Sequence, residues 1–320
     1  AALFGYVAAT GLPPAHWWRG AGQDVWPLQP ELPLTPDLQR FLAELRKRHP
    51  GIRECWLLDS ARPGEWRLLA LADPPRVTML WTTDEEIGSG TSRATIEACA
   101  RECDAVLVLE PSLPGGAAKT SRKGCGDFEL IVHGVAAHAG LDPGKGASAI
   151  HELAHQIVAV SALQDPDRGV TLNVGRISGG SRTNVVADQA RASIDVRVPT
   201  MADAVRVEAS LRALSPRLAG TRLEIQGGVD RPPLERGPGV LRLYGMARDV
   251  ARDLGRDLAE GAAGGGSDGN FTAAAGVPTL DGLGPRGDGA HALHEHVELE
   301  DLAWRAAFLA RLLSRIGRVQ

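Results

Sequence analysis

The chain has 320 residues, enough for one large or two medium domains. A hydrophobic fraction of 43% can build a sizeable core, and a net charge of −4 with no basic run argues against a nucleic-acid surface. No apolar stretch reaches the length of a membrane-spanning helix.

The four cysteines, Cys55, Cys99, Cys103 and Cys125, form no C-x-x-C pair, so reduced, partly buried thiols are expected. Ala1 to Thr10 is mildly apolar but lacks a charged leader. No signal peptide is expected, and a cytoplasmic location follows as an expectation.

Residues 1–75 carry five of the seven tryptophans and little clear periodicity; Leu38 to Arg48 is the one good helix there. From Arg76 onward the pattern is regular. An apolar run, Val77 to Trp81, predicts a strand, followed by the acidic stretch Asp84-Glu85-Glu86-Ile87-Gly88-Ser89. A helix over 91–103 and a strand over 105–109 come next, the latter ending in Glu110-Pro111. Further strands are expected over 128–132, 170–177, 190–198, 221–226 and 277–280, and helices over 146–163, 201–214, 240–254 and 298–316. The helix over 146–163 is expected to pack through Ile150, Leu153, Ala154, Ile157 and Val158. The middle of the chain thus reads as an α+β unit inserted into an α/β domain.

Two strands that both deliver carboxylates to one sheet edge suit a divalent cation, because ligands in open α/β sheets bind outside the carboxyl ends of strands. Adjacent glutamates can divide the work, one holding metal while its neighbour accepts a proton from water. Asp84-Glu85-Glu86 taken alone reads equally well as a solvated turn. Glu110-Pro111 gains meaning only because it ends the next strand. His291 follows a glycine-rich loop, with His294 and His296 close behind, and can be read as a zinc ligand or as part of a loose surface cluster. Gly264 to Gly269 lacks the Lys-Ser/Thr of a phosphate loop, and a tight turn at a site wall is the better reading.

His151-Glu152-Leu153-Ala154-His155 matches the H-E-x-x-H zinc motif and lies on a predicted helix. Val158 stands where the longer zinc-protease pattern needs Gly, and no acid follows within a turn or two. Packing is the preferred explanation of this helix, with zinc binding through His151, Glu152 and His155 as the alternative.

Ten segments in order carry a resemblance over residues 76–320. They are Arg76 to Trp81, Asp84 to Ser89, Glu110-Pro111, Arg122-Lys123-Gly124, Ala137-His138-Ala139-Gly140, Thr183-Asn184-Val185-Val186, Asp195-Val196-Arg197, Arg231-Pro232-Pro233, Gly265-Gly266-Ser267-Asp268 and Ala290-His291. Together they resemble the dinuclear zinc hydrolase family of carboxypeptidase G, aminoacylase and succinyl-diaminopimelate desuccinylase, in its glutamate-carboxypeptidase-like branch. The resemblance implies an α/β fold: a zinc-peptidase-like catalytic domain with a mixed sheet over 1–122 and 233–320, and an inserted α+β lid and dimerisation domain over 123–232. It implies Glu85 as general base, Glu86 and His291 on one Zn2+, and Glu110 on the other. His138 would stabilise the oxyanion across a dimer interface, while Asn184, Gly266 and Arg231 would bind substrate, the last through its carboxylate.

The implied function is metal-dependent hydrolysis of an N-acyl amino acid or a C-terminal, glutamate-like residue in a homodimer. The family pattern also needs an upstream H-x-D motif and a bridging Asp in a D-M-K-G-like motif. Neither occurs here; His16 and His49 are the only histidines before Asp84. Two zinc ions per chain therefore become one or none, activity is expected to be low, and an inactive carboxylate-binding dimer is the alternative.

Overall fold

The computed structural model describes residues 77–317 with their side chains and, within the first 76 residues, the backbone of five strands. These are β1 (Ala2–Tyr6), β2 (Trp18–Ala21), β3 (Asp24–Pro27), β4 (Ile52–Asp59) and β5 (Trp66–Ala72). The helix expected over 38–48 lies outside the described residues. The chain divides into two compact units: one of residues 1–120, 237–261 and 275–320, the other of residues 121–236 and 262–274.

In the first unit, β6 (Val77–Trp81), α1 (Arg93–Arg101) and β7 (Ala105–Val108) follow the expected strand, helix and strand. All four residues of β7 are buried, as suits a strand covered on both faces of a parallel sheet. β1 lies between β6 and β7 and runs parallel to both, with Leu3 opposite Thr78 and Val106. The residues with the least regular sequence pattern thus supply a central strand of this sheet.

The second unit opens with β8 (Ala118–Arg122), which crosses from the first unit, and β9 (Gly124–His133). It continues through α2 (Ala149–Ser161), β10 (Thr171–Gly179), β11 (Gln189–Val198), α3 (Met201–Arg212) and β12 (Arg222–Arg231). The sheet order is β10-β11-β9-β12, antiparallel throughout. Alternate residues of β9 and β11 point inward: Phe128, Leu130 and Val132 meet Ile194, Val196 and Val198, with Leu153 and Val160 of α2 and Val207 and Leu211 of α3 in the same core. Each such fully buried side chain contributes about 1.5–3 kcal/mol. Caps fix the helix starts, since Ser148 accepts from His151 N and Thr200 from Asp203 N.

The packing expected of α2 needs correction. Leu153 and Ile157 do face the core, but Ile150 and Val158 are 45% and 67% exposed and Ala154 is exposed. The helix is turned so that Glu152 and Gln156 point inward, where polar partners wait.

The rest of the chain forms α4 (Pro238–Asp253), β13 (Glu260–Ala263), α5 (Asp268–Ala274), β14 (Thr279–Leu280), the hairpin β15 (Gly287–Asp288) and β16 (His296–Val297), and α6 (Leu299–Ile316). Pro238 starts α4, where its missing N–H costs nothing. β14 pairs parallel to β7, giving the order β14-β7-β1-β6. β8 escaped sequence reading because its buried positions are Ala118, Thr120 and Arg122, which give no hydrophobic alternation. Among the described residues, no helix is long and apolar enough to cross a membrane.

Candidate active site

The parallel strands β6 and β7 end at the same edge of their sheet, and the acids follow. Glu85 to Ile87 form a single 3-10 turn closed by Gly88, whose φ is +95°. Asp84 does not point out with its neighbours. It is 8% exposed, and its Oδ2 accepts from Thr91 N (2.9 Å), Thr91 Oγ1 (2.6 Å) and Ser92 N (3.2 Å). These donors on Ser92 and Thr91 hold its carboxyl far below the usual carboxylate range. Its carbonyl also takes Ile87 N and Ser89 N, so Asp84 builds the turn and leaves Glu85 half-buried and Glu86 exposed.

The hairpin β15–β16 carries His291 at its tip. There His291 Nδ1 lies 3.7 Å from Glu86 Oε2. His291 and Ser89 are the non-glycine residues with positive φ among the described residues, at +64° and +58°. Left-handed backbone at a non-glycine residue is uncommon and gathers at functional sites. Here both cases sit in the two loops that bring Glu86 and His291 together. Glu110, half-buried after β7, is fixed through its backbone: Gly284 N donates to Glu110 O at 2.9 Å. A Cβ on Gly284 would stand 2.7 Å from that oxygen, so only glycine permits the approach.

These residues fall short of the implied zinc centre. Glu86 and His291 form a pair. Among the described residues, however, no group of three or more His, Cys, Asp or Glu side chains is placed to hold a metal. A protein zinc site normally has at least three protein ligands. Glu86, His291 and Glu110 therefore do not complete a centre by themselves.

The second unit holds the other expected residues. His138 and Asn184 lie on adjacent exposed loops, joined by an isolated bridge between His138 and Val185 and by Ala139 N donating to Asn184 O. His138 Nδ1 accepts from Gly140 N (3.1 Å) and Leu141 N (3.0 Å). An imidazole nitrogen that accepts two backbone N–H groups leaves the proton on Nε2, which becomes the outward donor.

Arg231, at the end of β12, is 7% exposed, with its guanidinium 4.7 Å above the Phe271 ring and 3.9 Å from Asp268. Gly266 packs on it, since a Cβ there would stand 2.5 Å from Arg231 Cδ. Arg122, from the Arg122-Lys123-Gly124 motif, pins this glycine loop by donating to Gly265 O and Gly266 O. Asn270 adds to the anchoring through Lys123 O and Pro232 O. The loop is thus pinned by Arg122 and packed against Arg231. Cys125 lies beside it, and burial pushes its thiol up. Cys99, Cys103 and Cys125 are free thiols, and Cys55 lies outside the residues described with side chains.

The zinc alternative at His151, Glu152 and His155 fails on geometry. Glu152 is fully buried, while both histidines are exposed. Its carboxylate accepts from Gln156 Nε2, Arg217 N, Leu218 N and Thr221 Oγ1. An acid so occupied ties α2 to the turn before β12 and has no lone pair to spare for water at a metal.

Residues 120–221 match the M20 peptidase dimerisation domain model. Carboxypeptidase G2 of Pseudomonas is 28% identical over 246 residues, which cover 75% of this chain and 59% of that protein. The chain thus spans well under two thirds of that relative. Aminopeptidase PepT of Bacillus cereus superposes with a TM-score of 0.61 at 24% identity, over 75% of this chain and 64% of that one. The YXEP protein of Bacillus subtilis, described as a dinuclear metal binding peptidase, gives 0.56 at 17% identity, over 76% and 66%. A core of mixed α/β build with a separate dimerisation unit is the architecture they share. By the dimerisation-domain match over 120–221 and by this fold, the chain is similar to the M20 peptidases and amidohydrolases.

Proposed function

We propose that this chain is an amide hydrolase acting on a small substrate with a free carboxylate, an N-acyl amino acid or a C-terminal glutamate-like residue. The observation that carries this reading is the strained tip of the hairpin, which sets His291 against Glu86 with Glu85 next to it. Glu85 serves as the general base for the attacking water. His138, presenting Nε2–H across the interface of a homodimer, donates to the oxygen of the tetrahedral intermediate. Arg231 receives the substrate carboxylate in place of its present neighbour Asp268, and Asn184 and Gly266 line the substrate. No step is assigned to zinc, because the described ligands stop at two.

The test is hydrolysis of N-acylglutamates by the purified chain supplied with zinc, manganese or cobalt. Glu85→Gln should lower turnover by about 10²- to 10⁴-fold, the usual loss of a general base. Turnover that persists in this variant would sink the reading. A second reading is favoured by the absence of a three-ligand group among the described residues: a non-catalytic dimer that binds carboxylates. It requires saturable glutamate binding that is lost in Arg231→Ala, with no turnover under any metal.

A further inference from the structure

A second feature shares no residue with the candidate active site. In the first unit, a cavity of about 110 Å³ is lined by Arg256, Asp257, Arg286, Asp301, Trp304 and Arg305, together with the Gly115–Gly116 loop and Leu258. It sits at the root of the His291 hairpin, where Glu298 N donates to Arg286 O.

Asp301 organises the cluster. It is fully buried and accepts from Arg256 Nη1 (2.7 Å), Arg305 Nε (2.8 Å) and the backbone N of Arg286 (3.1 Å). Arg256 stacks on Trp304, its guanidinium 4.6 Å from the ring centre. Arg305 is 3% exposed and gives Nη2 to Gly116 O at 2.8 Å. Its Nη1 is buried without a hydrogen-bond partner, and so is Arg286 Nε. Arg286 Nε stands 3.6 Å from Asp301, and its Nη2 meets Glu298 at 2.7 Å.

Three guanidinium groups thus meet Asp301 and the exposed Asp257 on the lining and Glu298 beside it, so the charges balance, but two buried guanidinium donors stay unused. A buried N–H without an acceptor is costly, so an acceptor is what the cavity lacks. Planar guanidinium forks suit oxyanions. The volume falls well below the roughly 300–1,000 Å³ of pockets for drug-sized ligands, which excludes a nucleotide held whole. Exposed Arg256 and Asp257 mark the mouth.

We propose that this cavity is a binding site for a small tetrahedral oxyanion: phosphate, free or as the end group of a small phosphomonoester. The anion accepts from Arg305 Nη1 and Arg286 Nε and lies against the Arg256 guanidinium.

Isothermal titration of the whole chain with inorganic phosphate, at fixed ionic strength in a sulfate-free buffer, should show saturable one-to-one binding. Ethyl phosphate in a parallel titration separates the two sources, tighter binding than phosphate indicating an ester that extends through the mouth. Arg256→Gln and Arg286→Gln, both at partly exposed positions, should each weaken binding by about tenfold or more, as loss of a charged hydrogen bond does. Should either variant fail to fold, protection of Arg256 and Arg286 from phenylglyoxal by phosphate in the unaltered chain gives the same readout. No saturable heat in the unaltered chain, unchanged affinity in both variants, or no protection overturns the proposal.

Discussion

Three acidic residues stand in sequence at 84–86, and their fates differ because of the donors around each. Asp84 is consumed by Thr91 and Ser92 and shapes the turn. Glu86 is left for His291, and Glu85 stays at the edge between them. Glu152 shows the same rule in reverse. Its motif reads as zinc chemistry, yet its surroundings are the N–H groups of Arg217 and Leu218. Burial alone would raise its carboxyl, but hydrogen bonds from Gln156, Arg217, Leu218 and Thr221 outweigh that and hold it below the ordinary range. Glu152→Ala should therefore cost about 1–3 kcal/mol of stability at neutral pH, by stranding buried donors. Because the folded carboxyl titrates below its unfolded value, the stabilisation is fully present above about pH 4.3 and is lost as pH falls through the folded value. Urea melts of the two proteins should differ at pH 7 and converge in acid. Equal midpoints at pH 7 would show that Glu152 holds nothing.

At the scale of elements, α2 and β10 leave apolar side chains in solvent: Val158 and Ile177 are each 67% exposed, and Ile150 is 45% exposed. β10 is also an edge strand of its sheet. An exposed edge with apolar residues is a template for another chain, and natural proteins rarely leave one uncovered. This accords with the dimerisation-domain match over 120–221. Val158→Glu and Ile177→Glu together should lower the mass seen by light scattering from two chains to one. A variant that keeps the parental mass would place the interface elsewhere. Because His138 is proposed to work across that interface, the same double variant should lose turnover with little loss of folded stability.

For the whole molecule, the metal count is the decisive quantity. Glu86 and His291 offer two ligands to one ion, and no third of the described residues joins them. Elemental analysis after dialysis against trace zinc should therefore find at most one ion per chain. Two ions would mean that residues 1–76 supply further ligands, and would make a dinuclear hydrolase the straightforward reading. Two cations about 4 Å apart need a bridging group to offset their repulsion, so a second ion cannot be held by Glu110 alone.

Much of this fold is legible in the chain because its information is local. Period-two alternation in 128–132 and 190–198 marks β9 and β11, and the period of 146–163, with Ser148 ahead of it, marks α2. The motif order from Arg76 to His291 carries the family resemblance. What the sequence could not decide is which way each side chain turns. Asp84, Glu85 and Glu86 are alike in one dimension, and only the return of Thr91 and the arrival of the 287–297 hairpin separate them. The H-E-x-x-H motif is a true helical spacing, but the turn at 217–221 takes its glutamate. The arginines around Asp301 come from residues 256, 286 and 305, far apart along the chain, so no local pattern announces them. Short-range periodicity and turn chemistry determined the elements of this protein. Partners brought together from distant segments decided which of its charged groups are structural and which remain available for chemistry.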